Sequence, residues 1–288
     1  MFAALSAKAD DMFQPRLAIE AGLSYVDGLL VPELDTMLKA TDQANFWSLD
    51  TAITTQLTGN LSIETGLTYY EEHYSEQREY NYHSSAFYAD AQYQRDNGTV
   101  GVNFQRNEFN LAGSSFMQQN SMGAYYSALF ADHYFLLLNL AGTDKTLPDY
   151  PERNSTLLQT GIALFYLPTS GKSIVSLSLG TIHEGSQDDF YSNKLYSTDL
   201  SYRLYLNFLS KSGQLDSGWK YQTKQFELYE IADILRKDTL NEIYSTLAIS
   251  LNNYLSSTLA LRYSKQESTI NDFSYQEASI RLSFTLAL

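Results

Sequence analysis

The sequence predicts an all-β chain, a transmembrane antiparallel up-and-down β-barrel of about fourteen strands, and three observations carry that prediction. The first is alternation. From Ala278 onward Ala278, Ile280, Leu282, Phe284, Leu286 and Leu288 are apolar and are interleaved with Ser279, Arg281, Ser283 and Thr285. That is the period of a strand with one face in an apolar medium. The second is an apparent conflict in composition. Apolar residues make up 44% of the chain, yet mean hydropathy is −0.29 and no run reaches the roughly 18 apolar residues of a membrane helix. A barrel resolves this, because only alternate residues meet lipid. The third is a rhythm of turns, short and long connections alternating along the chain.

Tight turn chemistry occurs at 58–60, 96–98, 131–133, 169–172, 211–213 and 252–254, about every 40 residues. Longer polar connections lie between these turns, at 28–44, 71–82, 107–115, 143–154, 183–191, 225–241 and 266–273. Transmembrane barrels have this arrangement, with short periplasmic turns and long extracellular loops. The strands between the breaks are 15–28, 45–57, 61–72, 83–95, 99–109, 116–130, 134–143, 155–167, 173–183, 191–209, 215–227, 240–252, 257–267 and 273–288. An even count puts both termini on one side. Pro15, Pro32, Pro148, Pro151 and Pro168 all fall at strand ends or in connections, since proline cannot donate to a ladder. A seven-bladed propeller shares the period, but each blade needs four short strands where this chain has room for two long ones. Two connections have helical spacing, Leu34/Met37/Leu38 within 32–39 and Ile231/Ile234/Leu235 within 230–236. Each is a candidate lid over the mouth. Met1–Ala9 reads as a signal-peptide remnant or leader, with Ala7-Lys8-Ala9 as a cleavage site, and 10–288 as the barrel.

The phase of each strand sorts its two faces. Leu17, Ile19, Leu23 and Tyr25 on one face send Glu20 to the other. Charge at the bilayer midplane is costly, so the apolar face meets lipid and the charge meets the lumen. By the same rule Asp50, Glu64 and Asp90 line the lumen from the first strands. Asp199, Arg203, Lys220, Lys224, Arg262 and Arg281 line it from the last. This predicts an acidic wall facing a basic one, and hence a transverse field that screens solutes by charge. The competing reading is that these groups pair across the lumen, for example Glu20 with Arg281.

A net charge of −14 with no basic stripe argues against nucleic acid. With no cysteine, a disulfide or thiolate metal site is excluded. The 23 tyrosines suit two membrane interfaces. His73, His83, His133 and His183 have no metal-ligand spacing, and no cofactor motif is present. His83 and Ser85 share a lipid-facing phase, and Asn110 lies on the neighbouring strand. This arrangement is similar to the catalytic set of outer-membrane phospholipases, although the Asn and Gly that follow their serine are Ala86 and Phe87 here.

Ser257 to Tyr263, the polar connection Gln266 to Asp272, and Tyr275 leading into the final alternation resemble the end of porin-type barrels. In particular they resemble the fourteen-stranded C-terminal barrel of surface lipoprotein assembly modifiers. The resemblance implies a Gram-negative outer-membrane barrel, with barrel-assembly machinery, outer-membrane lipid and lipopolysaccharide as partners. The helical-repeat domain that this family carries before its barrel is absent from the sequence, and the terminal Leu288 replaces the usual Phe. The expected function is a monomeric, non-enzymatic channel for small polar solutes or ions. A barrel serving an export system with a periplasmic partner is the alternative.

Overall fold

The computed structural model describes residues 13–169, 171–208, 211–231 and 233–288. The leader read over residues 1–9 lies outside them. The strands are β1 (Phe13–Val31), β2 (Thr36–Gln56), β3 (Leu61–Tyr74), β4 (Tyr82–Arg95), β5 (Gly98–Leu111), β6 (Ser114–Phe130) and β7 (Tyr134–Thr146). They continue as β8 (Ser155–Tyr166), β9 (Ser173–Ser186), β10 (Asn193–Phe208), β11 (Lys211–Ile231), β12 (Ile234–Ser250), β13 (Leu255–Ser268) and β14 (Tyr275–Ala287). Each pairs antiparallel with its sequence neighbour. β1 closes the ring on β14 in a register from Ala18↔Ala287 to Val26↔Ser279. Fourteen strands at ordinary spacing and tilt make a barrel roughly 28 Å across between backbones. We call the end where β1 starts and β14 finishes the inner end, and the opposite one the outer end.

The outward face is an apolar band between two aromatic girdles. Tyr25, Trp47, Tyr196, Tyr221 and Tyr263 stand exposed toward the outer end, and Tyr93, Tyr126, Tyr134, Tyr166 and Tyr202 toward the inner end. On β7 the outward face runs from Tyr134 through Leu138 and Leu140 to Asp144. Ten tilted residues span roughly 25 Å, the height of a barrel's lipid-facing band.

The outer connections differ most from expectation, because strand continues through much of what reads as polar loop. β1 and β2 run as a ladder up to Val31↔Thr36, and β11 and β12 up to Ile231↔Ile234. Among the described residues the two segments with helical spacing contain no α-helix. One holds the 3-10 turn Pro32–Leu34 followed by β2, and the other lies at the facing ends of β11 and β12. A helical pattern of seven or eight residues cannot repay its nucleation cost, whereas extending an existing hairpin adds ladder hydrogen bonds at once.

Both long hairpins carry an irregularity that bends them toward the lumen. On β1 the register shifts between Asp27 and Leu29 at Gly28, whose φ of 136° is open to glycine and strained for other residues. Beyond the shift Leu29 and Val31 are buried. On β11 the shift lies between Gln225 and Glu230; Phe226 keeps the inward phase of Lys224, and within the shift Tyr229 is buried against the alternation.

Candidate functional site: the lumen and its outer closure

All ten residues read as lumenal lie on the inward phase of their strands, alternating with the exposed apolar set. Their surroundings vary along the barrel axis. Toward the inner end, the side chains of Arg16 and Arg203 are 54% and 44% exposed, so the lumen is open there. Toward the outer end the inward groups are buried. Val26, Leu29, Val31, Ala44 and Phe46 of the first hairpin are buried there, as are Met117, Leu147, Phe226 and Tyr229. Most of the buried apolar residues therefore gather at one mouth of the barrel.

The acidic wall holds a cation that sequence reasoning missed. Arg16 Nη2 reaches Asp50 at 3.0 Å, Glu64 at 3.8 Å and the Tyr88 hydroxyl at 3.0 Å. Arg16 is in phase with Glu20, so the strand pattern was sufficient to place it. The basic wall is likewise compensated by acids. Arg203 Nε donates to Asp216 at 2.6 Å, and Arg262 lies 3.8 Å from Glu242. Lys220 stands in register between Asp199 and Glu242. The two walls also adjoin, because β14 pairs with β1. The transverse contrast is correspondingly weaker than the ten residues alone imply. Arg281 does not meet Glu20, whose register partner is Thr285. It donates instead to Glu72 at 3.2 Å and to the Tyr70 hydroxyl at 3.0 Å, with its guanidinium over the Phe46 ring.

Three predicted carboxylates are held by tyrosines lying flat against the wall. Tyr88 donates to Glu64 at 3.2 Å, Tyr125 to Asp90 at 3.0 Å and Tyr244 to Asp199 at 3.2 Å. Each ring covers a glycine directly opposite in register, at Gly66, Gly101 and Gly218. A Cβ on Gly66 would stand 2.4 Å from the Tyr88 ring. Gly66→Ala is therefore expected to displace Tyr88, release Glu64 and cost about 1–3 kcal/mol in urea unfolding from detergent. An unchanged midpoint would mean that the ring moves freely.

The outer closure centres on Asp35, the residue after the Pro32–Leu34 turn, at a φ of 55° that aspartate tolerates better than most residues. Asp35 Oδ1 accepts from Arg236 on β12 at 2.8 Å, and Oδ2 lies 3.1 Å from Arg153 Nη1. Arg153 also donates to the Glu33 carbonyl at 2.5 Å and stacks over Tyr191. Arg153 lies between β7 and β8, about half-way round the ring from the first hairpin. These bonds can form only if the hairpin tip crosses the mouth. Arg236 is 2% exposed. Asp238 accepts from it at 2.7 Å, and its guanidinium sits 4.3 Å from the Phe226 ring centre, 4.9 Å from Tyr229 and 3.7 Å from Phe273. Nearby, Glu184 accepts from Lys145, from Ser155 at 2.7 Å and from Asn193 at 2.9 Å.

Burial alone would raise the Asp35 carboxyl. The hydrogen bond and charge of Arg236, helped by Lys224 and Arg153, outweigh burial and hold it below the ordinary carboxylate value. Asp35, Arg236, Asp238, Lys145 and Glu184 lie in segments that read as loops, which is why the lumenal set omits them.

His83 and Ser85 face outward, and Asn110 is in register with His83. Among the described residues no hydrogen bond joins the three, and the His83 ring stacks on Tyr69 at 6.3 Å. Residues two apart on one strand face stand about 7 Å apart, beyond the reach that a nucleophile and its base need. Among the described residues no group of three or more acids or histidines is placed to hold a metal.

No protein-family model matches the chain, and no curated protein matches it. Solved structures do. A bacterial polysaccharide outer-membrane secretin is 13% identical with a TM-score of 0.54, covering 95% of this chain and 98% of that one. OmpT, an outer membrane protein of Vibrio cholerae, is 7% identical with a TM-score of 0.59, covering 96% and 97%. An anion-selective porin from Comamonas acidovorans is 9% identical with a TM-score of 0.56, covering 96% and 99%. At these identities the likeness is one of fold: the chain is a closed fourteen-stranded antiparallel barrel of the outer-membrane kind.

Proposed function

We propose that this protein is a channel for small polar solutes or ions in a Gram-negative outer membrane, shut at rest by its first hairpin. The carrying observation is the contrast along the lumen, a polar interior open at the inner end and sealed at the other by the tip bonded through Asp35. On this reading the inner end faces the periplasm, and lipopolysaccharide surrounds the outer girdle. The barrel works as a monomer, because its seal is built within one chain.

Conductance in planar bilayers as a function of pH tests the proposal. A carboxyl whose value is lowered by its partners stabilises the closed state above its free value. That contribution is lost as pH falls through the lowered one. The mouth is therefore expected to stay shut at neutral pH and to open below the ordinary carboxylate range, about pH 4. Asp35→Asn should remove that acid step. No current from the folded barrel at any pH, with or without Asp35→Asn, would sink the channel reading.

A further inference from the structure

The charges around Asp35 assign a ligand class to the chamber beneath the hairpin tip. A cavity of about 860 Å³ lies against β10 to β14, with Asp35, Lys224 and Arg236 at its top. Asp35 and Lys224 also border a niche of about 30 Å³ that contains Lys145, Arg153 and Glu184. Cations from three separate elements, Arg153, Lys224 and Arg236, thus converge on a single carboxylate, and that carboxylate arrives on the tip of a hairpin, while Lys145 pairs with Glu184.

The cations are incompletely satisfied. Among the described residues Lys224 makes no hydrogen bond or contact ion pair; it acts on Asp35 and Glu184 only by charge across a gap, and its ammonium rests 4.8 Å from the Phe226 ring centre. The Nη1 of Arg236 is buried without a hydrogen bond among the described residues. If the tip withdraws, Asp35 and Glu33 leave with it. Lys145, Arg153, Lys224 and Arg236 then face only Glu184 and Asp238. Lower in the chamber Arg262 is matched by Glu242 and Glu277 adds negative charge, while Asp272 lies at the outer rim in the turn between β13 and β14. The excess of cations is therefore confined to the place that Asp35 occupies.

We infer that Asp35 is a tethered stand-in for ligand, and that the chamber binds small carboxylate solutes, whose carboxylate displaces Asp35 from Arg236, Arg153 and Lys224 and so frees the hairpin. The inference rests on the channel reading and deepens it by naming a substrate class. A tethered competitor acts at an effective concentration near the millimolar range, so the unaltered protein binds such a solute weakly. Below the top of the chamber, Gln222, Gln266 and Ser264 offer donors and acceptors to hydroxyl groups of the same solute.

Calorimetry on the whole barrel in detergent at low salt tests this, with gluconate as probe and sorbitol as its uncharged counterpart. Asp35→Asn is expected to bind gluconate at least about tenfold more tightly than the unaltered protein and to gain nothing for sorbitol. Adding Lys224→Met, or separately Arg153→Gln, to Asp35→Asn should remove most of that gain. No gain for gluconate, or an equal gain for sorbitol, overturns the assignment even if Asp35→Asn conducts freely. A selective gain in a barrel that never conducts would uphold the site and remove the channel.

Discussion

In planar bilayers at neutral pH, Asp35→Asn is expected to raise time-averaged conductance at least about tenfold over the unaltered protein. The carboxylate is the common partner of Arg236 at 2.8 Å and Arg153 at 3.1 Å, and those two cations stand on different parts of the ring. Asparagine suits the positive φ of the site and keeps an acceptor, so the change removes charge with little backbone strain. A loss of about 2 kcal/mol from the closed state alone shifts its ratio to the open state about thirtyfold. Gly28→Val should reach the same open state by another route. The φ of 136° at that position is forbidden to a β-branched residue, and without the bulge the hairpin cannot turn Leu29 and Val31 inward. Conductance unchanged in both variants would show that the hairpin does not gate the mouth.

Arg236→Leu is expected to lower stability by about 3–5 kcal/mol in urea unfolding from detergent. The leucine leaves Asp35 and Asp238 facing each other in a dry layer without their shared cation. It also empties part of a space bounded by Phe226, Tyr229 and Phe273. Lys224→Met is the contrasting case. Its ammonium has no ion-pair partner among the described residues and covers an aromatic ring, so an apolar chain of similar length should change stability by less than about 1 kcal/mol. Equal losses for the two substitutions would mean that the layer is held by bulk packing and not by the Arg236 pairings.

The two residues also differ in how far the sequence reveals them. Lys224 sits in a strand whose alternation is intact, and its inward phase follows from Trp219 and Tyr221 facing out. Arg236 keeps the inward phase of Asp238, Glu242 and Tyr244 on β12, but it stands in a polar segment, 225–241, that reads as a connection, so its phase was not counted. Asp35 was legible only as a polar residue near a proline, because nothing local to it mentions Arg153 or Arg236, more than a hundred positions away. Arg16, Asp216 and Glu242 are a third case. Arg16 and Asp216 lie in phase with Glu20 and Lys220, so the signal was present, Glu242 stands in register with Lys220, and together they weaken the contrast between the two walls.

The sequence by itself determined the barrel: fourteen strands, their order and the alternation that sets an exposed apolar face against a polar one. These are properties of period, and a period of two is written locally, one residue at a time. Only the tertiary structure decided that the first hairpin tip crosses the outer mouth, that Asp35 joins Arg153 and Arg236 there, and that Arg236 is buried. Those facts depend on which side chains meet across a barrel roughly 28 Å wide between backbones. Ring closure and two bulges set that geometry, and neither the distance nor the bend is encoded in any single stretch of the chain.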